Sequence, residues 1–268
     1  MTGSDDPAVL RIEQLGYGHR GRELGRIDEL VIRRGEIVAV LGPNGCGKTT
    51  LMRTLLGLLP AVTGRACVDG LALQGAGTGP DRRRIARHLA YVPQAHAGVF
   101  AYTALDVVLM GRAAHVGAFS MPSRADRAIA SEALQRMGVS RLAHRPYTEI
   151  SGGERQLVLI ARALAQQASV LVMDEPTSSL DFGNQRVVLR EIEALKRKGV
   201  AVLMSTHQPE HALRIADRVA LMGRDGLQAV GPTAGTVTAE ALARLYAVPV
   251  DEVARSVPGL GRPPALGR

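Results

Sequence analysis

The segment Glu36-Ile-Val-Ala-Val-Leu-Gly-Pro-Asn-Gly-Cys-Gly-Lys-Thr-Thr50 joins three kinds of local pattern within fifteen residues. Ile37–Leu41 is a continuous apolar run, which predicts a short strand buried on both faces. A glycine-rich turn follows, and Leu51–Leu59 then continues with Leu/Met at helical spacing. Gly42, Gly47, Lys48 and Thr49 fit the spacing Gly, four residues, Gly, Lys, Ser/Thr, with Pro43, Asn44, Gly45 and Cys46 filling the loop and Thr50 following it. Each residue type has a physical reason. Gly42, Gly45 and Gly47 let the backbone turn its N–H groups inward as a nest for phosphates. The helix beginning near Lys48 adds the positive end of its dipole. The Lys48 ammonium reaches the β- and γ-phosphates of a nucleoside triphosphate, and the Thr49 hydroxyl is placed to ligate Mg²⁺. The chain uses thirty arginines and only three lysines, so a compact ammonium at position 48 reads as a requirement.

Working outward, 268 residues suit one large domain with an inserted lobe. A 46% apolar and 22% charged composition describes an ordinary globular protein. No apolar run is long enough to span a bilayer, and the polar, acidic start Met1–Pro7 does not read as a secretory signal. Two cysteines, Cys46 and Cys67, make no disulfide framework, which fits a reducing cytoplasm. The +8 net charge comes from scattered basic residues, and three Phe, five Tyr and no Trp leave no aromatic interleaving for base stacking. Nucleic-acid binding is therefore not expected.

Residues 8–15 and 26–34 alternate apolar and polar and predict antiparallel strands. Tyr17 lies between them in Gly16-Tyr-Gly-His-Arg-Gly21, which reads as a loop; its ring can stack on an adenine or simply sit on the surface. Leu89–Pro93 predicts a strand ending at Gln94, a residue that can ligate a metal and sense a phosphate, or merely cap a turn. Helical spacing over 103–112 and 124–137 marks a block, about 95–165, inserted into the strand-and-helix pattern of a single domain at 1–250. Ser151–Gln156 opens a further helix. Val170–Met173 and Val200–Met204 are two more buried apolar runs, with a helix expected over Gln185–Lys198 between them. The Arg/Pro/Gly-rich segment 251–268 reads as a disordered tail.

The three apolar strands end in Gly42, in Asp174-Glu175 and in Ser205-Thr206-His207. In a parallel sheet all three groups emerge at the carboxyl edge, where open α/β sheets bind ligands. Asp174 is then placed to hold Mg²⁺, and Glu175 to act as general base on the attacking water. Adjacent carboxylates on an extended strand point to opposite sides, which separates the two roles. His207 can hydrogen-bond Glu175 and the γ-phosphate. Ser151-Gly-Gly-Glu-Arg-Gln156 places a hydroxyl and backbone N–H groups at a second helix start. One nucleotide does not need two such sites from distant parts of one chain, and a two-fold dimer sandwiching ATP explains both.

With these residues assembled, the chain resembles the ATP-binding cassette (ABC) ATPases over about residues 8–248, with Ser151–Gln156 similar to that family's signature motif. The resemblance implies an α/β P-loop core with a mainly parallel sheet, an N-terminal antiparallel β subdomain and an inserted helical subdomain. It implies ATP and Mg²⁺ as cofactors and Tyr17 as the adenine-stacking aromatic. Gln94 is then the Q-loop ligand to Mg²⁺ and water, Asp174 the metal-associated acid and Glu175 the catalytic base. Ser151, Gly152, Gly153 and Glu154 act across the dimer, Asp181 lies in the dimer-crossing D-loop, and His207 is the switch histidine. Met110-Gly-Arg112 with His115, Asp181–Gln185 and Ser205–Pro209 resemble the importers of iron complexes, haem and cobalamin, and Gln156–Ala165 is similar to molybdate/tungstate relatives. Such a subunit is expected as a homodimer at the cytoplasmic face of the membrane, on a separate permease fed by an extracytoplasmic binding protein. A soluble cassette protein of DNA repair or translation would carry a long coiled coil or two cassettes, and this chain shows neither.

Overall fold

A computed structural model describes residues 8–19, 22–73, 82–94, 102–117, 120–224 and 226–260. β1 (Ala8–His19) and β2 (Arg22–Arg33) pair as a long hairpin, and β3 (Ile37–Leu41) runs through the glycine-rich loop into α1 (Lys48–Leu55). β4 (Thr63–Val68) and β5 (Leu71–Ala72) return to β1, and α2 (Arg82–His88) leads into β6 (Leu89–Val92). The helical block holds α3 (Ala104–Leu109), α4 (Arg124–Arg136) and α5 (Gly152–Ala165). Strands and helices then alternate as β7 (Val170–Asp174), α6 (Phe182–Arg197), β8 (Ala201–Thr206), α7 (Pro209–Ile215) and β9 (Arg218–Gly223). Finally β10 (Gly226–Pro232) pairs back, and α8 (Thr233–Thr236), α9 (Ala239–Tyr246) and α10 (Val250–Ser256) follow.

Among the described residues the strands form two sheets, β2-β1-β4-β5 and β10-β9-β3-β8-β7-β6. The first is antiparallel; in the second, β9, β3, β8, β7 and β6 run parallel and β10 antiparallel. This is the α/β architecture that the apolar runs predict. The pleat sorts the central strands into two cores. Ile37, Ala39, Leu41, Leu171, Met173, Val202 and Met204 face one cluster, shared with α5, α6, α7 and the helical block. Val38, Val40, Val170, Val172, Ala201 and Leu203 face the other, shared with α1 and the antiparallel sheet. The sheet is thus covered on both sides, and its ligand edge is left to the loops.

Three expectations change. Tyr17 is not on a loop: β1 continues through it, paired with Gly25 of β2. The flanking glycines serve close approach instead of a turn, since a Cβ on Gly18 would lie 1.9 Å from the Arg22 carbonyl oxygen. The first six residues of the tail expected at 251–268 belong to the helix Val250–Ser256, with Pro249 before it, Asp251 and Glu252 in its first turn and Arg255 in its last. The expectation for 261–268 lies outside the described residues. Finally, α6 starts three residues earlier than Gln185, because the Asp181 carboxylate accepts the Asn184 N–H at 2.8 Å and caps the helix.

Candidate active site

The loop after β3 is held from behind. Gly42 donates its N–H to the Thr206 carbonyl at 3.3 Å, and a Cβ there would meet the Met222 carbonyl oxygen at 2.0 Å. Gly45 and Gly47 take φ of 80° and 102°, which a side chain would resist, and Gly47 starts α1. Lys48 is 5% exposed, yet its ammonium is satisfied: it donates to the carbonyls of Gly42 at 2.8 Å and Pro43 at 3.0 Å, and lies 3.4 Å from Glu175 Oε1. A cavity of about 390 Å³ opens here, lined by Asn44, Gly45, Gly47, Lys48, Thr49 and Thr50, with Leu24, Gln94 and Glu175.

The carboxyl ends of β7 and β8 supply the rest. Asp174 is 2% exposed and accepts a hydrogen bond from Ser205 Oγ at 2.7 Å. Glu175 leaves the strand with φ of 46°, so a left-handed kink, not strand alternation, separates it from Asp174. Its other oxygen, Oε2, accepts from His207 Nδ1 at 3.2 Å, because an ionised carboxylate is acceptor only. Lys48, Glu175 and His207 therefore form one continuous chain of contacts across the cavity. The His207 carbonyl in turn accepts from the Tyr246 hydroxyl at 3.1 Å, a contact from α9 that no local pattern announces.

Two residues expected at the nucleotide site turn inward. Tyr17 is 1% exposed, and its ring backs Gly47: a Cβ on Gly47 would lie 3.3 Å from Tyr17 Cε2. A ring so enclosed has no open face for an adenine. The apolar side chain on the cavity wall is Leu24, 44% exposed, which the sequence reading did not single out. Cys46 is also buried, and burial pushes its thiol up from its ordinary pKa against the lowering effect of Lys48.

The second helix start stands apart from this cavity. Ser151 and Gly152 are exposed at the start of α5, and Gly153 packs beside Ser179 and Leu180. Ser151 Oγ accepts the Glu154 N–H at 3.2 Å, and the Glu154 carboxylate returns to the Ser151 N–H at 3.0 Å, a reciprocal cap. The Ser151 N–H, then the serine hydroxyl and Arg141 at 2.6 Å, hold the Glu154 carboxyl below its ordinary pKa against the opposing effect of burial. The Asp181 carboxylate is likewise occupied as the cap of α6. At the far end of α5, Arg112 donates to the Ala165 carbonyl at 2.8 Å and to Gln167 Oε1 at 2.9 Å, braced by Asp126 at 2.9 Å. His115 Nε2 reaches the Gln166 carbonyl at 2.8 Å. Gly111 permits this approach, since a Cβ there would lie 2.1 Å from the Arg162 carbonyl oxygen. The Met110-Gly-Arg112…His115 pattern is thus the clamp on the last turn of the signature helix.

Comparison with known proteins agrees with this geometry. The family model described as ABC transporter matches residues 27–178. The hemin import ATP-binding protein HmuV of Nocardia farcinica is 38% identical over 246 residues, covering 91% of this chain and 82% of its own. The molybdate import ATP-binding protein MolC of Haemophilus influenzae is 35% identical over 246 residues, covering 91% and 90%. A solved metal-chelate type ABC transporter in an inward-facing conformation superposes with a TM-score of 0.78 at 35% identity, covering 91% of this chain and 90% of that one. The family match over residues 27–178 and the extent of these similarities show that the chain belongs to the ABC transporter family, as one of its ATP-hydrolysing subunits.

Proposed function

We propose that the chain energises uptake of an iron complex, haem, cobalamin or a similar metal chelate, working as a homodimer on a separate membrane permease fed by an extracytoplasmic binding protein. The observation that carries the mechanism is the Lys48–Glu175–His207 chain across the phosphate-loop cavity. A triphosphate competes for the Lys48 ammonium and releases Glu175 Oε1 to take the proton of a water. The water oxygen bonds to the γ-phosphorus, the bond to the bridging oxygen breaks, and ADP departs. His207 keeps Glu175 aimed while this happens. The adenine ring of the nucleotide rests on Leu24 at the cavity wall.

Thr49, Gln94 and Asp174 offer hard oxygen donors suited to Mg²⁺. Among the described residues no cluster of three or more His, Cys, Asp or Glu side chains gathers to hold a metal. A bound Mg²⁺ would take its remaining ligands from phosphate oxygens and water and would neutralise developing phosphate charge. Ser151–Glu154, with Ser151 and Gly152 exposed and none of the four lining the cavity, is completed by the phosphates held on a second copy of the chain.

Among the described residues no helix is long and apolar enough to cross a membrane. The reading is of a peripheral subunit at the cytoplasmic face. A groove of about 540 Å³, with Leu109, Met110, Ala113 and Met121 as its apolar wall and Arg83 and Arg127 at its rim, offers the permease a docking place on the helical block. Met121, 82% exposed, is its most accessible apolar side chain. Similarity to HmuV and to the metal-chelate transporter supports the chelate cargo; similarity to MolC supports molybdate as the second reading.

The test is Glu175→Gln. It should bind ATP, form a stable dimer on a sizing column and hydrolyse at least ~10²-fold more slowly, the loss expected for a missing general base. Wild-type turnover would remove Glu175 from its role. Uptake of labelled haem, iron chelate or molybdate into vesicles holding the neighbouring permease then decides the cargo.

A further inference from the structure

β8 brings one more polar group to the site. Ser205 ends an otherwise apolar run, Ala201–Met204, and is wholly buried, at 0% exposure. A hydroxyl in such a place is costly unless bonded. It is bonded twice: it donates to Asp174 Oδ1 at 2.7 Å and accepts the Glu175 N–H at 2.9 Å. The hydroxyl has a single proton, so these directions are fixed. The register of the sheet sets the meeting, because Asp174 lies directly beside Ser205 across β7 and β8.

The backbone explains what the hydroxyl is for. Glu175 adopts φ of 46°, a conformation that non-glycine residues keep only where their surroundings over-determine it. Ser178 holds the Glu175 carbonyl, through its N–H at 3.2 Å and its Oγ at 3.1 Å. Ser205 holds the N–H on the other side. The same hydroxyl also decides which oxygen of Asp174 is engaged with protein and which remains for a cation. We propose that Ser205 is a positioning residue that ties the orientation of the Asp174 carboxylate to the backbone of Glu175, so that the cation ligand and the general base are aligned together.

This inference rests on the roles given above to Asp174 and Glu175, and its test keeps the two separable. Ser205→Ala, Ser205→Thr and Glu175→Gln are prepared in the full chain. ATP KM, kcat, Mn²⁺ affinity in the presence of a non-hydrolysable ATP analogue, and melting temperature are measured for each. Ser205→Ala should lower kcat roughly 10- to 100-fold, the scale of one lost hydrogen bond to a charged group, with KM for ATP little changed. Its Mn²⁺ affinity should fall, and Ser205→Thr, which keeps the hydroxyl, should recover most of both. A folded Ser205→Ala with wild-type kcat and Mn²⁺ affinity overturns the inference, as does a folded Ser205→Thr no better than the alanine variant. Should the alanine variant not fold, Ser205→Cys takes its place: an intermediate kcat supports the inference and a wild-type value overturns it. If Glu175→Gln hydrolyses normally, the assignment of the base fails; if it is inactive while Ser205→Ala is unimpaired, the Ser205 inference alone falls.

Discussion

Tyr17→Phe deletes one oxygen from the floor of the phosphate loop, and the structure fixes the sign of its effect. The Tyr17 hydroxyl is buried without a hydrogen-bond partner among the described residues, pressed toward Gly25. Leaving such a group unpaired costs about 1–3 kcal/mol, so phenylalanine, which keeps the ring and opens no cavity, should stabilise by about 1 kcal/mol. For a chain of this size that raises the melting temperature by roughly 2–4 °C. Burial, with smaller effects of Cys46 and Glu23, pushes the phenol up to about 12. Because the folded pKa exceeds the unfolded value near ~10, the folded state holds the proton longer, and this contribution is lost as pH rises from about 10 to 12. Tyr17→Phe should remove that part of the alkaline decline. Tyr17→Ala is the opposite case: it takes away the wall behind Gly47 and should cost ~3–5 kcal/mol, as for other buried aromatic truncations. Calorimetry at neutral and alkaline pH, with ATP KM beside it, checks all three statements. A lower melting temperature for Tyr17→Phe would show that the hydroxyl has a partner. A Tyr17→Ala variant that melts normally but binds ATP poorly would show a ring open to the base, as the sequence alone suggested.

Leu24→Ala should raise KM for ATP several-fold with kcat unchanged, and an unchanged KM would remove Leu24 from the base site. Cys46 should react slowly with iodoacetamide at pH 7, since burial raises its thiol pKa, and the rate should climb with pH; intact-mass time courses with and without ATP measure this. Asp69 gives an acid-limb prediction. Burial would raise its pKa, but bonds from Ser169 at 2.6 Å and His88 at 2.7 Å, with Arg34 nearby, leave it lowered. Its contribution is therefore present above the unfolded value of ~3.9 and lost as pH falls through the lower folded value. Asp69→Asn should melt lower at neutral pH and show a shallower decline below about pH 4 in acid-unfolding curves.

What the sequence revealed follows from how local each signal is. Ile37–Leu41, Val170–Met173 and Val200–Met204 were readable because a strand buried on both faces has to be apolar throughout. Glycines give a mixed signal: Gly45 and Gly47 are where a phosphate loop needs positive φ, but Gly16 and Gly18 read as loop residues while serving close packing within a hairpin. That ambiguity misplaced Tyr17. The Pro/Gly-rich surroundings of Val250–Ser256 mask a helix whose terminal charges are those of a short helix. The contacts of Ser205 and Tyr246 are not legible for another reason: their partners lie 31 and 39 positions away, and only the fold brings them together.

The clamp that Arg112 and His115 place on α5 has a mechanical consequence. Fourteen residues at about 1.5 Å each make a rod roughly 21 Å long, gripped at its last turn, with Ser151 and Gly152 exposed at its start. Such a rod acts as a pointer. A tilt of ~10° at the gripped end, beside the groove where Met110 lies, swings Ser151 by about 3.7 Å. A hydrogen bond is made or lost over less than 1 Å. Modest angular movement at the groove is therefore geared up into a full on-or-off change at the far tip, with no part of α5 needing to unfold.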